Sequence, residues 1–354
     1  MIASVRRIAV VVFNLGGPDS PGAVRGFLIN LFRDPAILRV PGWLRPLLAW
    51  LIVARRLKTA QAIYAQLGGR SPIREQTTAQ ALALEAALTD LGIVRCFVAM
   101  RYWHPMSEET AKAVQSFAPD EIVLLPLYPQ YSTTTTASSL DVWLEASRAA
   151  GIGAPTQAIC CYPNEPGFIA AQSEALRRAR ESIPAGARAR ILFSAHGLPK
   201  KIVEEGDPYA WQVERTAEAI AEAAGLGRDE WRVTYQSRVG PLKWLEPYTE
   251  DEIVRAGREG MSLIVQPIAF VSEHSETLVE LDRTYADLAQ RSGVPNYRRV
   301  ATVGTMASFI AGLAALVRSR LDKAASPLPV ACGVAQACGA RFPGCALRRN
   351  TGST

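Results

Sequence analysis

Histidine is scarce in this chain: there are three in 354 residues. Chemistry that depends on imidazole therefore has few places to reside. Long apolar runs are absent as well. Hydrophobic residues make up 49% of the sequence and the mean hydropathy is +0.06, yet no run approaches the ~20 residues that a membrane-spanning helix requires. Neither a dense basic run nor a nucleic-acid motif occurs. The formal charge of +6 and the pI near 9.1 therefore point to anionic lipid or an acidic substrate, with no nucleic acid partner. The dinucleotide fingerprint GxGxxG is missing. Gly16-Gly17-Pro18 follows the first apolar run without that pattern or the later acidic residue, so no nucleotide is expected. No small-residue cleavage site follows the apolar run at 8–13, which passes straight into Asn14-Leu-Gly-Gly. A first sheet strand fits better than a signal peptide, and a cytoplasmic protein is expected.

The length allows two ordinary domains or one large α/β unit. Apolar runs that read as both-faces-buried strands recur: residues 8–13, 94–100, 121–126, 191–196, 231–236 and 262–272. Helical spacing links them over 75–91, 108–117, 207–224 and 307–321. Val11-Val-Phe-Asn-Leu-Gly-Gly-Pro18 echoes Leu192-Phe-Ser-Ala-His-Gly-Leu-Pro199. The strand leading to Tyr131-Ser132 echoes the one leading to Ser272, each with a proline near its end. The sequence thus predicts an α/β fold of two similar Rossmann-like, doubly wound parallel-sheet halves, 1–150 and 151–305, whose strand ends face one central cleft. A helix in 306–330 packs back, and 331–354 forms a tail containing cysteines.

The chemistry concentrates in Ile191-Leu-Phe-Ser-Ala-His196-Gly-Leu-Pro199 and Phe270-Val-Ser-Glu-His274-Ser-Glu276-Thr-Leu-Val-Glu280. Both read as buried strands ending abruptly in polar side chains. His196 and Glu276 mix a borderline and a hard donor, suited to a first-row divalent metal held loosely enough to pass on; alternatively, His196 caps a strand turn. Glu276 and Glu280 share one helix face at i, i+4, as a carboxylate row or a solvated surface. Segment 35–56, opened by Pro35 and closed by Arg56, is the most apolar. It is either a core helix or an apolar lip that dips into a bilayer surface. Trp244, just after Gly240-Pro241, suits either the core or a cleft wall.

These stretches, with Gly68-Gly-Arg-Ser-Pro72, Arg101-Tyr102, Tyr128-Pro-Gln-Tyr-Ser132 and Gln236-Ser-Arg-Val-Gly-Pro241, resemble the ferrochelatases in order along residues ~10 to ~305. The resemblance implies a chelatase-like pair of halves around a porphyrin cleft, peripheral attachment to the inner face of the cell membrane, and insertion of Fe2+ into protoporphyrin IX with release of two protons. It further implies that His196 and Glu276 handle metal and, with Glu280, protons, while Leu15, Arg56, Tyr64, Ser71, Arg101, Tyr102, Tyr131 and Trp244 meet the porphyrin. A homodimer is compatible with it.

Cys332, Cys338 and Cys345 crowd the end of the chain, and Cys160-Cys161 sit together upstream. Structural disulfides are not expected in a cytoplasmic protein, so metal or reactive thiols are. Some ferrochelatases hold a 2Fe-2S cluster with one internal and three C-terminal cysteines. Here Thr133 occupies the internal ligand position of the animal enzymes, and Cys161 or Cys160 is expected to replace it; a tail binding zinc is the alternative. A chelatase for coproporphyrin iron, cobalt or nickel, and a non-catalytic porphyrin or haem carrier, are the rival functions.

Overall fold

Strand β1 (Arg7–Asn14) carries Ile, Ala, Val, Val, Val and Phe in succession, and its residues from Ile8 onward are buried, as a strand covered on both faces requires. The computed structural model describes residues 5–321, 330–332, 338 and 341–346. After β1 come α1 (Ala23–Arg33), α2 (Arg45–Ala65), α3 (Ile73–Ala87), β2 (Ile93–Met100), α4 (Ser107–Phe117), β3 (Glu121–Pro126), α5 (Thr136–Ala149) and β4 (Thr156–Cys161). The chain continues through α6 (Pro166–Glu181), β5 (Ala189–His196), α7 (Lys200–Glu204), α8 (Tyr209–Ala223), β6 (Trp231–Gln236), α9 (Thr249–Arg258) and β7 (Ser262–Pro267). A π-helical segment (Glu276–Tyr285), α10 (Ala286–Arg291), β8 (Tyr297–Arg299), α11 (Ala307–Leu321) and β9 (Val330–Cys332) complete it.

Among the described residues the strands form two parallel sheets, in the orders β2-β1-β3-β4-β9 and β6-β5-β7-β8. In each, the first strand in sequence lies inside the sheet and its later neighbours diverge to either side. The carboxyl ends of β1 and β5 are therefore topological switch points, where open α/β sheets leave a crevice. Asn14 terminates one and His196 the other. The echo between the two halves thus has a spatial meaning.

One core joins the halves. Ile8, Val10 and Val12 of β1 share it with Ile191, Phe193 and Ala195 of β5, and with Phe309, Leu313 and Val317 of α11. Each of these side chains larger than Ala195 contributes roughly 1.5–3 kcal/mol on burial, so parting the halves would forfeit much of the stability. Helix α11 packs on α6 and α3. At its crossing with α6 a side chain on Gly167 would place its Cβ 2.9 Å from the Cα of Gly312, so glycine permits the close approach. Residues 322–329, at the end of the segment expected to pack back, lie outside the described residues.

Polar seams hold the facing strand ends in register. Asn14 Nδ2 donates to Thr77 Oγ1 at 2.9 Å and to Ser272 Oγ at 3.4 Å. Gln80 Nε2 donates to the carbonyls of Val271 at 2.8 Å and Gly304 at 3.0 Å. The Tyr131 amide donates to Gln212 Oε1 at 2.7 Å. Buried polar groups need such partners, and all of these but Thr77 lie in the opposite half.

Two expectations are corrected. The division at 150/151 passes between β3 and β4, whereas β4 belongs to the first sheet, between β3 and β9; its short run sits between Gly/Pro-rich flanks and reads as a connection. The stretch at 268–274 is a loop, not the end of a strand. Strand β7 ends at Pro267, which has no amide hydrogen to continue the ladder.

Candidate active site

His196 ends β5 and is held from three directions. Its Nδ1 lies 2.6 Å from the carbonyl of Gly197; a carbonyl only accepts, so Nδ1 carries the hydrogen. That commits the neutral ring to an Nε2 lone pair. Tyr209 Oη donates to the His196 carbonyl at 3.0 Å. The ring of Trp244 stands 6.2 Å from the imidazole, centroid to centroid, and its Nε1 donates to the Val239 carbonyl at 2.9 Å. Trp244 is both buried and a wall beside His196, which reconciles the two readings of it.

His196 Nε2 faces Glu276 Oε1 at 3.7 Å, with 34% and 30% of the two side chains exposed. Two donors that each stand about 2.1 Å from one ion lie ~3–4 Å apart, so the pair could hold a divalent cation. Among the described residues no group of three or more His, Cys, Asp or Glu is arranged to hold a metal. A two-donor site leaves most coordination positions open, as delivery of an ion demands.

His274 stands on the other side of Glu276, its Nε2 3.4 Å from Oε2 and its Nδ1 3.1 Å from the Ser272 carbonyl. Burial pushes the His274 pKa down, but the hydrogen bond and charge of Glu276 outweigh it and the net shift is upward. An imidazolium donating to both oxygens satisfies this geometry. For Glu276 burial acts upward, yet the imidazole of His196, once it carries a proton, and the hydrogen bond and charge of His274 bring its pKa down to about 2. The carboxylate is thus kept ionised.

Glu280 follows on the same face of the π-helical segment, whose wide turn is characteristic of functional sites. Its carboxylate accepts from Ser237 N at 2.9 Å, Ser237 Oγ at 2.5 Å, Gln236 Nε2 at 3.1 Å and Tyr285 Oη at 3.1 Å. Ser237 adopts φ +63°, a strained conformation for a residue with a side chain, and this turns both its donors toward Glu280. Burial and the Glu276 charge nevertheless raise the Glu280 pKa, against the pull of Ser237, His196 and Gln236. Neighbouring carboxylates with pKa values pushed apart make a donor and an acceptor of protons.

The first half supplies the opposite wall. Tyr64, near the end of α2, is buried and hydrogen-bonds Ser275; burial pushes its pKa up to about 12, against the lowering by Ser275 and with a further rise from Glu276. A cavity of about 220 Å³ beside it is lined by Pro21, Val24, Gln61, Tyr64, Ala65 and Gly69. Ser71 is buried in a notch where a Cβ on Gly17 would come within 2.6 Å of its own. Half-buried Leu15 accepts at its carbonyl from the Tyr102 amide. Arg56 is exposed, its guanidinium carbon 5.9 Å from the Phe32 ring centre.

Three expected contact residues face elsewhere. Arg101 Nη2 and Tyr102 Oη donate to Asp34 Oδ2 at 2.7 and 2.8 Å, and Ser138 Oγ does so at 2.6 Å. They anchor the base of the lip. Tyr131 packs with Ala137, Cys160, Cys161 and Ala346. Asp34, His274, Gln236 and Ser237 were not singled out from sequence. His274 had a signal, as one of three histidines two residues from Glu276; Asp34 had none.

The Cys161 and Cys332 main chains pair in register between β4 and β9, while the Cys332 side chain lies outside the described part of the structure. Cys338 and Cys345 are buried, their sulfurs 3.7 Å apart. Cys160 Sγ is 3.2 Å from Cys161 Sγ, and Gln212 Nε2 lies 3.5 Å from the latter.

Comparison with known proteins agrees with this architecture. Residues 7–321 match the family model described as Ferrochelatase. The ferrochelatase of Caulobacter vibrioides is 52% identical over 346 residues, covering 97% of this chain and 98% of its own. That of Phenylobacterium zucineum is 55% identical over 320 residues, covering 90% and 92%. SirB from Bacillus subtilis with Fe3+ shares the fold at a TM-score of 0.55 and 11% identity, covering 89% of this chain and 95% of that one. The chain belongs to the ferrochelatase family and is a metal chelatase that inserts iron into porphyrin for haem synthesis.

Proposed function

We propose that His196, Glu276 and Glu280 carry the metal and proton handling of this reaction, and that the porphyrin is protoporphyrin IX. Two pyrrole N–H bonds break as Fe2+ enters, and two bonds form between iron and the deprotonated nitrogens; the two protons must leave the cleft. Nε2 of neutral His196 accepts one of them, because its Nδ1 is already committed. Glu276, ionised between two imidazoles, holds the cation or the departing proton, and Glu280 takes protons onward along the π-helical segment. Trp244 and Tyr64, on opposite walls, limit how flat the macrocycle can lie, and a bent ring exposes its nitrogens. The exposed Arg56 suits a propionate. The 3.7 Å opposition of Nε2 and Oε1, with Nδ1 tied to Gly197, carries this reading. Mixing the protein with Fe2+ and protoporphyrin without oxygen tests it: haem forms with wild type and not with His196→Ala, and equal rates would refute it. Competing porphyrins and metals in that assay fix the substrate.

Two finer readings have their own support. Cys161, Cys332, Cys338 and Cys345 would be the ligands of a 2Fe-2S cluster, which would supply an electron-carrying centre; among the described residues no three of these thiols are grouped to hold a metal, and one pairwise spacing supports the cluster. Two thiolates on one tetrahedral iron stand about 3.8 Å apart for metal–sulfur bonds of about 2.3 Å, close to the 3.7 Å of Cys338 and Cys345. The β4–β9 register favours Cys161 over Cys160 as the fourth ligand. Visible absorbance with iron and sulfide analysis decides it, and a colourless protein with stoichiometric zinc removes it. The lip exposes Ile37, Trp43, Leu47, Trp50 and Leu51 beside Arg55, Arg56 and Lys58, which suits a membrane surface. No helix among the described residues is long and apolar enough to cross a membrane. Sedimentation with anionic vesicles tests the attachment.

A further inference from the structure

Beyond β9, which forms the sheet edge, the chain carries the cysteine-bearing segment 341–346. It lies on the turn that follows α7. The Gly344 amide donates to the Gly206 carbonyl at 3.1 Å, and Phe342 stacks near Trp211 of α8, ring centres 5.7 Å apart. Gly206 has φ +98° and no room for a side chain: a Cβ would stand 2.6 Å from Pro343 Cδ. The main-chain amide of Cys345 bonds back to Phe342, and that of Phe342 to Cys338, so the two buried cysteines set the shape of the piece that presses on Gly206.

The residues on either side of Gly206 reach the mouth of the cleft and the base of His196. Glu205 forms an ion pair with Arg39 of the lip, both partly exposed, and Arg39 Nη2 also approaches Thr133 Oγ1 at 3.4 Å. Asp207, buried, accepts from Thr133 N and Oγ1, each at 2.7 Å, and from Ser132 Oγ at 3.0 Å. Its other oxygen accepts from the Tyr209 amide at 2.9 Å, and Tyr209 Oη holds the His196 carbonyl. One short turn thus touches the C-terminal segment and the lip and, through Tyr209, the backbone of His196.

We propose that the turn at 205–207 is a positioning element through which the cysteine-bearing segment sets the working width of the cleft mouth. Arg39 and Glu205 are the positioning residues on the lip side. This rests on the reading of the cleft as a porphyrin site. With segment 341–346 seated, Glu205 is fixed and Arg39 draws the lip toward the second half. With it displaced, the ion pair loses its fixed partner and the mouth loosens. The contacts are contiguous, but coupling must be measured.

The test uses the full-length protein and metal-free protoporphyrin, reading its dissociation rate by fluorescence. Arg39→Gln is expected to release porphyrin about two- to fivefold faster, the scale of an exposed ion pair. Gly206→Ala, which dislodges Pro343 without touching a thiol, is expected to do at least as much; Phe342→Ala replaces it if it does not fold. The double variant with Arg39→Gln is expected to go no further than the single displacement, because both act on one contact. Cleavage by trypsin within the lip should rise in parallel. Multiplying effects, or wild-type release rates when segment 341–346 is displaced, overturn the proposal. Iron insertion by the same preparations is read separately: a wild-type protein that binds porphyrin and makes no haem refutes the catalytic reading and leaves the release rates interpretable.

Discussion

Around His196 the polar groups are tied to one another: Gly197, Tyr209, Glu276, His274, Gln236 and Ser237 are linked to it or to its carboxylate neighbours. In the lip, by contrast, buried anchoring comes from Asp34 at one end and Tyr64 at the other, with Trp43 and Trp50 exposed between them. The two regions face the same cleft with opposite priorities. Moving protons between fixed atoms needs donor and acceptor held within a few tenths of an ångström. Admitting a flat, greasy ring needs an apolar border that can yield. Rigidity belongs where bonds change, and compliance where the substrate passes.

The sharpest way to break this contrast is to exchange the expected kinetic signatures. His196→Ala should lower kcat for iron insertion by at least about a hundredfold, the usual share of a general base, with porphyrin affinity little changed. A lip variant with that signature would refute the division of labour. Asp34→Asn comes next. It leaves the Arg101 guanidinium, only 12% exposed, without its charge partner, and a loss of about 3 kcal/mol in urea unfolding is expected. A loss below about 1 kcal/mol would mean that the lip is not anchored there.

A third measurement bears on the rigid edge. The Glu273 carboxyl is pushed up by burial but lowered overall by Arg299, Thr277 and Thr302. A folded pKa below the unfolded value of about 4.3 contributes stability that is present at higher pH and lost as the pH falls through the folded pKa. Below about pH 4, therefore, the wild type should lose stability more steeply than Glu273→Gln; identical slopes would show that the Arg299–Glu273 pair is not part of the frame. The smallest effect is expected for Trp50→Ser, whose exposed ring contributes little to folding. Iron insertion in detergent should be unchanged while sedimentation with anionic vesicles falls. Unchanged sedimentation would remove the apolar lip from the membrane reading.

A strand with both faces buried such as β1 was legible because its apolar run leaves no ambiguity about burial, and β6 and α11 have the bounds that their patterns predict. The loop at 268–274 was misread because Phe270-Val271 prolongs an apolar run that Pro267 had already ended as a strand. Arg101 and Tyr102 were expected at the cleft, and their side chains instead close on Asp34, since a buried acid recruits the nearest donors whatever their position in a motif. Ser237 illustrates the remaining gap. Nothing in its letter says that its backbone takes φ +63°.

From the amino-acid order alone came strands β1, β2, β3, β5, β6 and β7, helices α3, α4, α8 and α11, the parallel α/β class, the twofold echo and the stretches that carry imidazole and carboxylate, because period, turn chemistry and residue type are local properties. The tertiary structure decided which groups meet: Glu276 between two histidines, Tyr64 reaching Ser275 from the other half, and segment 341–346 pressed on Gly206. Such meetings depend on strand order and on how helices seat across a shared core, and these are settled by packing over distances along the chain that no local pattern encodes.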